Sequence, residues 1–288
     1  MRLAYLGTPA AAVPPLEALV AAGHDVAVVV SQPDKRRGRG GVTMPTPVKA
    51  AAERLALPVT DRVDDVLDAD VELGVVVAFG RLIKPHVLDR VPMVNLHFSL
   101  LPRWRGAAPV ERAILAGDDV TGVCLMQLEE GLDTGPVYAT EVVDIAQDET
   151  ADELRARLVA VGTRLLVDQL ASPLAAPKPQ EGEPTYAAKI DAAELRIDWA
   201  KPRDEVLRLV RVGRAWTTFR GKRLLVARAA PGERTASLPP GSLTTTHVVC
   251  GDGATIELLE VQPEGKQKQP AADWWRGARA TQAERLGE

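Results

Sequence analysis

Residues 94 to 109 read Val-Asn-Leu-His-Phe-Ser-Leu-Leu-Pro-Arg-Trp-Arg-Gly-Ala-Ala-Pro. An apolar run, Val94 to Leu96, ends at a polar pair and breaks into a loop punctuated by Pro102, Gly106 and Pro109. A strand that ends in such a loop is where open α/β sheets place their reacting groups. Asn95 and His97 stand two residues apart, so an extended chain points both to one face. Further on, Gly131-Leu132-Asp133-Thr134-Gly135 holds a carboxylate in a Gly-flanked turn. An amide, an imidazole and a carboxylate together can stabilise an oxyanion and move a proton.

Working outward, apolar stretches alternate with helical patterns on both sides of this segment. Strands are expected at Leu3–Leu6, Val26–Val30, Val75–Phe79, Val94–His97, Val123–Leu128 and Val137–Val143. Helices are expected from the Gly7-Thr8-Pro9 turn to about Gly23, over Pro47–Leu55 and over Ala108–Ala116. A longer one spans Ala151–Leu170, with Leu154, Leu158, Val161, Leu165 and Leu166 at three- and four-residue spacing and Asp148 or Thr150 as its cap. This alternation predicts an α/β, Rossmann-like, mostly parallel sheet with flanking helices. It forms a first domain over 1–172. Prolines at 173, 177, 179 and 184 then mark 173–201 as a linker.

Residues 202–288 differ in kind. A short helix, Asp204–Val212, leads into strand-like runs at Leu224–Ala227, Val248–Cys250 and Ile256–Val261, the last two joined at Gly251-Asp252-Gly253. A smaller C-terminal OB-like β-barrel domain is expected.

Composition limits the function. The chain has 288 residues, 46% hydrophobic and 26% charged, with two cysteines far apart. No disulfide framework and no zinc spacing is present, so no metal is expected. No apolar run approaches a membrane span, and Met1–Leu6 is too short for a signal core. A cytoplasmic location and no membrane partner are therefore expected. The net charge of −4 argues against nucleic acid, yet residues 201–288 carry 15 Lys and Arg against 10 Asp and Glu. Such asymmetry points to a polyanion surface on that part. Lys35, Arg36, Arg37 and Arg39 sit among glycines in a basic loop, 33–45, that can follow a phosphate backbone. Gly7-Thr8-Pro9 follows the first strand but lacks the glycines of a dinucleotide fingerprint, and no P-loop occurs, so neither NAD binding nor nucleotide hydrolysis is expected.

Taken with Ser99-Leu100-Leu101-Pro102, the Asn95, His97 and Asp133 set resembles the folate-dependent formyltransferase superfamily. Arg103-Trp104-Arg105-Gly106-Ala107-Ala108-Pro109 resembles the branch acting on methionyl-tRNA. Further matching pieces run nearly end to end: Gln32-Pro33-Asp34, Met44-Pro45, Pro47-Val48-Lys49, Arg196-Ile197-Asp198-Trp199 and Gln262-Pro263. Two places depart from the family pattern. Phe98 stands where a small residue is usual, and Val212 to Phe219 lacks a Pro-containing stretch.

The resemblance implies formyl transfer from 10-formyltetrahydrofolate to the α-amino group of initiator methionyl-tRNA, giving N-formylmethionyl-tRNA for translation initiation. It implies Asn95 and His97 on the oxyanion, with Asp133 orienting His97 and taking up the amine's proton. Ser99, Leu100, Leu101 and Pro102 would lie along the folate, and Arg39 would reach the tRNA acceptor end while the C-terminal domain holds the stem. A monomer is expected. A formyltransferase acting on a sugar-nucleotide amine would share the same three residues, and a tRNA-binding module with a decayed catalytic half or a folate hydrolase are further alternatives.

Overall fold

A computed structural model describes residues 1–37, 42–234, 238–281 and 284–288. The chain divides into two compact units. One comprises Met1–Val110, Val120–Asp144 and Arg155–Ala188; the other comprises Glu111–Asp119, Ile145–Leu154 and Lys189–Glu288.

The first unit is built on a seven-stranded sheet. Its strands are β1 (Arg2–Gly7), β2 (Asp25–Val30), β3 (Val59–Thr60), β4 (Leu73–Val77), β5 (Met93–His97), β6 (Val120–Gln127) and β7 (Val137–Asp144). They lie in the order β7-β6-β5-β4-β1-β2-β3. Pairing is parallel from β5 through β4, β1 and β2 to β3, and antiparallel at β5–β6 and β6–β7. The central strands β1 and β4 are buried almost throughout, as strands covered on both faces must be. Edge strand β7 is mostly exposed or half-buried.

The helices follow their local chemistry. Gly7-Thr8-Pro9 leads first into a 3-10 turn at Ala10–Ala12, and only then into α1 (Val13–Ala21), because Pro14 and Pro15 fit the first helical turn. α2 (Pro47–Arg54) is capped by Thr46, whose hydroxyl accepts from the Lys49 N–H at 3.1 Å. α3 (Pro85–Leu88) is a single turn, and α4 spans Pro109–Ala116. α5 covers Ala151–Leu170. Thr150 is its cap: the Glu153 carboxylate takes the Thr150 N–H at 2.8 Å while the Thr150 hydroxyl faces the Glu153 N–H at 3.3 Å. That reciprocal arrangement is a capping box. Further along, a Cβ at Gly162 would sit 2.9 Å from Val123 and 3.0 Å from Leu96, so its absence lets the helix approach β5 and β6.

The basic stretch is ordered differently from the loop expected over 33–45. Lys35–Arg37 and Val42–Met44 pair as a two-stranded antiparallel ribbon. Arg39 lies outside the described residues.

The second unit carries a six-stranded antiparallel sheet. Its strands are β8 (Trp216–Phe219), β9 (Lys222–Arg234), β10 (Leu243–Thr244), β11 (His247–Val249), β12 (Ala254–Pro263) and β13 (Gln269–Pro270). The order is β8-β9-β12-β11-β10, with β13 on β12, and no ladder joins β8 to β10 among the described residues. At the β11–β12 turn Gly253 takes φ +76°, and the Asp252 carboxylate accepts the Ala254 N–H at 3.1 Å. α6 (Arg203–Arg211) buries Val206 and Val210 in a core with Val226, Val248 and Ile256, and α7 (Ala271–Ala278) adds Trp274. Trp274 meets Phe219 edge-on at 5.0 Å.

The stretch expected as a linker over 173–201 is built into the two units. Tyr186–Ala187 pairs with Arg105–Gly106 in the first, and Lys178 bridges Val137. Ile197 and Trp199 are buried in the core of the second, where the Trp199 indole donates to Thr217 at 2.9 Å. The second unit thus begins its final segment at Lys189, ahead of residue 202. Prolines restrict a chain without forbidding it partners, which is why composition alone read as a tether.

Candidate active site

β5 ends at His97, and the alternation of the strand places Asn95 and His97 on one face beside the loop that follows. His97 is 5% exposed. The loop turns back on itself: the Arg103 N–H donates to the Leu100 carbonyl at 2.9 Å, and Trp104 takes φ +65°. This return brings the Trp104 carbonyl oxygen 2.9 Å from His97 Nε2. A carbonyl only accepts, so Nε2 donates to it and Nδ1 is the ring nitrogen left outside this bond. Nδ1 faces the Asp133 carboxylate, 3.6 Å from Oδ2.

Asp133 sits in the Gly131–Gly135 turn at φ +50°. Its Oδ2 accepts the Gly106 N–H at 2.8 Å, and its Oδ1 lies 3.5 Å from the Asn95 amide nitrogen. The three residues singled out by the sequence are thus brought together. Gly106 is required at its position: it has φ +123°, and a Cβ would stand 2.9 Å from the Ala187 carbonyl oxygen.

These groups lie in a cleft of about 510 Å³. Phe79, Leu82, Ile83, Phe98 and Leu128 give it apolar walls, and Asn95, His97 and Asp133 supply its polar groups. That is the size and make-up of a small-molecule site. Phe98, the departure from the family pattern, lines this cleft and is otherwise buried. Ser99 is fully buried, with its hydroxyl donating to the Arg103 carbonyl at 2.7 Å. The lining passes from Phe98 to Gly106 without Leu100, Leu101 or Pro102. The Ser99–Pro102 stretch therefore shapes the loop that holds His97. Among the described residues, no three His, Cys, Asp or Glu side chains converge to hold a metal ion. No helix among them is long and apolar enough to cross a membrane.

One residue of the arrangement carried no sequence signal. The Gln180 amide donates to the carbonyls of Asp133 and Gly135, both at 2.8 Å. Its oxygen accepts from Arg105 at 3.1 and 2.7 Å. Gln180 thereby ties the Asp133 turn to the residue preceding Gly106. Thr185 assists, its hydroxyl accepting the Trp104 N–H at 2.9 Å. Gln180→Ala is expected to lower kcat by about 10²-fold through misplacement of Asp133, with both KM values nearly unchanged. Steady-state kinetics check this; a change confined to KM would remove Gln180 from the positioning role.

Comparisons with known proteins give the family. Residues 1–170 match the family described as formyl transferase, and residues 189–279 match formyl transferase, C-terminal domain. The methionyl-tRNA formyltransferase of Roseobacter denitrificans is 48% identical over an alignment of 297 positions, gaps included, that covers 96% of this chain and 96% of that protein. Among solved structures, an N-formyltransferase from Helicobacter canadensis in complex with folinic acid and dTDP-3-aminofucose has a TM-score of 0.70 at 16% identity, covering 93% of this chain and 99% of that one. A methionyl-tRNA formyltransferase from Clostridium thermocellum has a TM-score of 0.61 at 15% identity, covering 90% and 98%. At those identities the structural likeness is one of fold. From the paired domain matches and the near full-length identity, the chain belongs to the formyl transferase family, with both its N-terminal and C-terminal domains.

Proposed function

We propose that this enzyme transfers the formyl group of 10-formyltetrahydrofolate to the α-amino group of initiator methionyl-tRNA. The observation that carries the chemistry is the meeting of Asn95, His97 and Asp133 at the end of β5. The identity of 48% over nearly the whole chain to a relative named for methionyl-tRNA favours the tRNA acceptor. The apolar walls with one polar edge suit a flat folate ring that presents its formyl group to that edge.

The co-substrate supplies a formyl carbon already activated by its folate nitrogen. The neutral α-amine adds to that carbon, and the carbonyl electron pair moves onto oxygen. Asn95 donates an N–H to this oxygen. His97 serves it through the ring edge that carries Nδ1, since Nε2 is committed to the Trp104 carbonyl. Asp133 orients the ring and accepts the proton released by the amine, through water. Collapse breaks the bond from carbon to the folate nitrogen, which takes up a proton as it leaves. Preorganised donors of this kind act where charge develops and need no rearrangement.

The acceptor's phosphates are met by cations. Lys35, Arg36 and Arg37 lie on the basic ribbon and Arg39 follows them, while the C-terminal segment 201–288 carries its excess of Lys and Arg. We assign Arg39 to the acceptor end and the C-terminal domain to the stem. The working unit is a monomer, acting in the cytoplasm. Arg39→Ala should raise KM for tRNA about tenfold while leaving KM for folate within about twofold, as loss of one phosphate contact requires. A change confined to folate would overturn that assignment. The acceptor class is tested by salt: kcat/KM for tRNA should fall steeply between 50 and 200 mM salt (about 10-fold or more), whereas a sugar nucleotide, with few phosphates, would show little change.

A further inference from the structure

A second cleft, of about 410 Å³, opens beyond the ends of β2 and β3 and is lined by Ser31, Gln32, Asp34, Lys49, Thr60 and Asp61. Pro33 and Val59 complete its lining, which is more polar than that of the first. Asp34 is the group in it with unused capacity. Its Oδ2 accepts from Lys49 Nζ at 2.8 Å, while its buried Oδ1 has no partner among the described residues. A carboxylate oxygen without a donor is costly, and the Asp34 side chain is 28% exposed, so a turn about its last torsion brings the unpaired oxygen to a donor entering the cleft.

The topology names the donor's class. In β–α–β units that read nucleosides, an acid beyond the second strand accepts the ribose hydroxyls. Asp34 follows β2 of such a unit, built from β1, α1 and β2. The glycines that would cradle a pyrophosphate are absent at Gly7-Thr8-Pro9. The site therefore suits a nucleoside whose phosphate belongs to a longer chain. The two clefts also share a wall: Gln32 lines the second and donates its amide to the Phe79 carbonyl at 3.0 Å, and Phe79 lines the first. Arg81, of the first, donates to the Asp61 carbonyl, of the second, at 2.8 Å.

We infer that the second cleft receives the terminal adenosine of the aminoacyl-tRNA, with Asp34 accepting the ribose hydroxyl left free beside the methionyl ester. The ester then reaches across the shared wall to Asn95, His97 and Asp133. This rests on the tRNA reading and supplies it with a ribose contact at the acceptor end.

The test is a titration of the full-length enzyme with adenosine 5′-monophosphate and its 2′-deoxy analogue, followed by calorimetry or protein NMR and needing no turnover. The wild type should bind the ribonucleotide about tenfold more tightly, the worth of one hydrogen bond to a charged acceptor. Asp34→Ala should bind both equally, and the ribonucleotide should inhibit transfer competitively with methionyl-tRNA. Equal affinities in the wild type, or no binding at millimolar concentration, would overturn the proposal whether or not Asp34→Ala folds. So would a variant that still discriminates. An enzyme that discriminates through Asp34 but formylates no tRNA supports the nucleoside site and overturns the tRNA reading instead.

Discussion

Asp133→Asn is expected to lower kcat for formyl transfer by about 10³-fold while folate affinity stays within about twofold, in the range that general acid–base help supplies. The replacement keeps the shape and removes two functions. An amide cannot accept the amine's proton. It also fails one of the two contacts that hold the carboxylate in place. If its oxygen faces the Gly106 N–H, its NH2 is turned toward the Asn95 amide nitrogen; if it flips, the NH2 meets the Gly106 N–H. Either way two donors are opposed. The folate walls, formed by Phe79, Ile83 and Phe98, are untouched. Single-turnover kinetics with a separate folate titration read the two effects apart, and wild-type turnover in the variant would remove Asp133 from the mechanism.

Asn95→Ala and His97→Ala should each cost about 2.7–4 kcal/mol of transition-state stabilisation, roughly 10²–10³ in kcat, the usual loss of an oxyanion donor. His97→Ala carries a second penalty, because it removes a buried ring together with its 2.9 Å bond to the Trp104 carbonyl. A lost buried hydrogen bond costs about 1–3 kcal/mol of stability, so only this variant should also melt earlier. The two residues serve one oxygen, so the double variant should lose much less than the product of the single losses. Full multiplicativity would show that Asn95 and His97 act at different steps.

The parts of this molecule that repeat a period were readable in the sequence. β5 announced itself by an apolar run ending in Asn95 and His97, and α5 by leucines at helical spacing behind Thr150. The sheet class followed because strands buried on both faces are apolar without alternation. What escaped depends on single hydrogen bonds over long separations. Gln180 reaches Asp133 across 47 positions, and no periodicity records such a contact. Ser99 is placed along the folate by the family resemblance alone. Its oxygen instead turns inward to the Arg103 carbonyl, a choice made by the loop's return and not by composition. The basic segment shows the same limit: Lys35–Arg37 and Val42–Met44 form a ribbon because their backbones pair, and charge says nothing of that. The pairing of Gly106 with Asp133 was half legible, since the glycine stood in the quoted loop but its φ of +123° did not.

The acceptor decides the function. Formyl transfer from 10-formyltetrahydrofolate should be measured with initiator methionyl-tRNA, elongator methionyl-tRNA and free methionine side by side. The predicted result is rapid formylation of the initiator, with the elongator and free methionine far slower. Folate bound but no formyl transferred to either tRNA, together with transfer to a sugar-nucleotide amine, would contradict it.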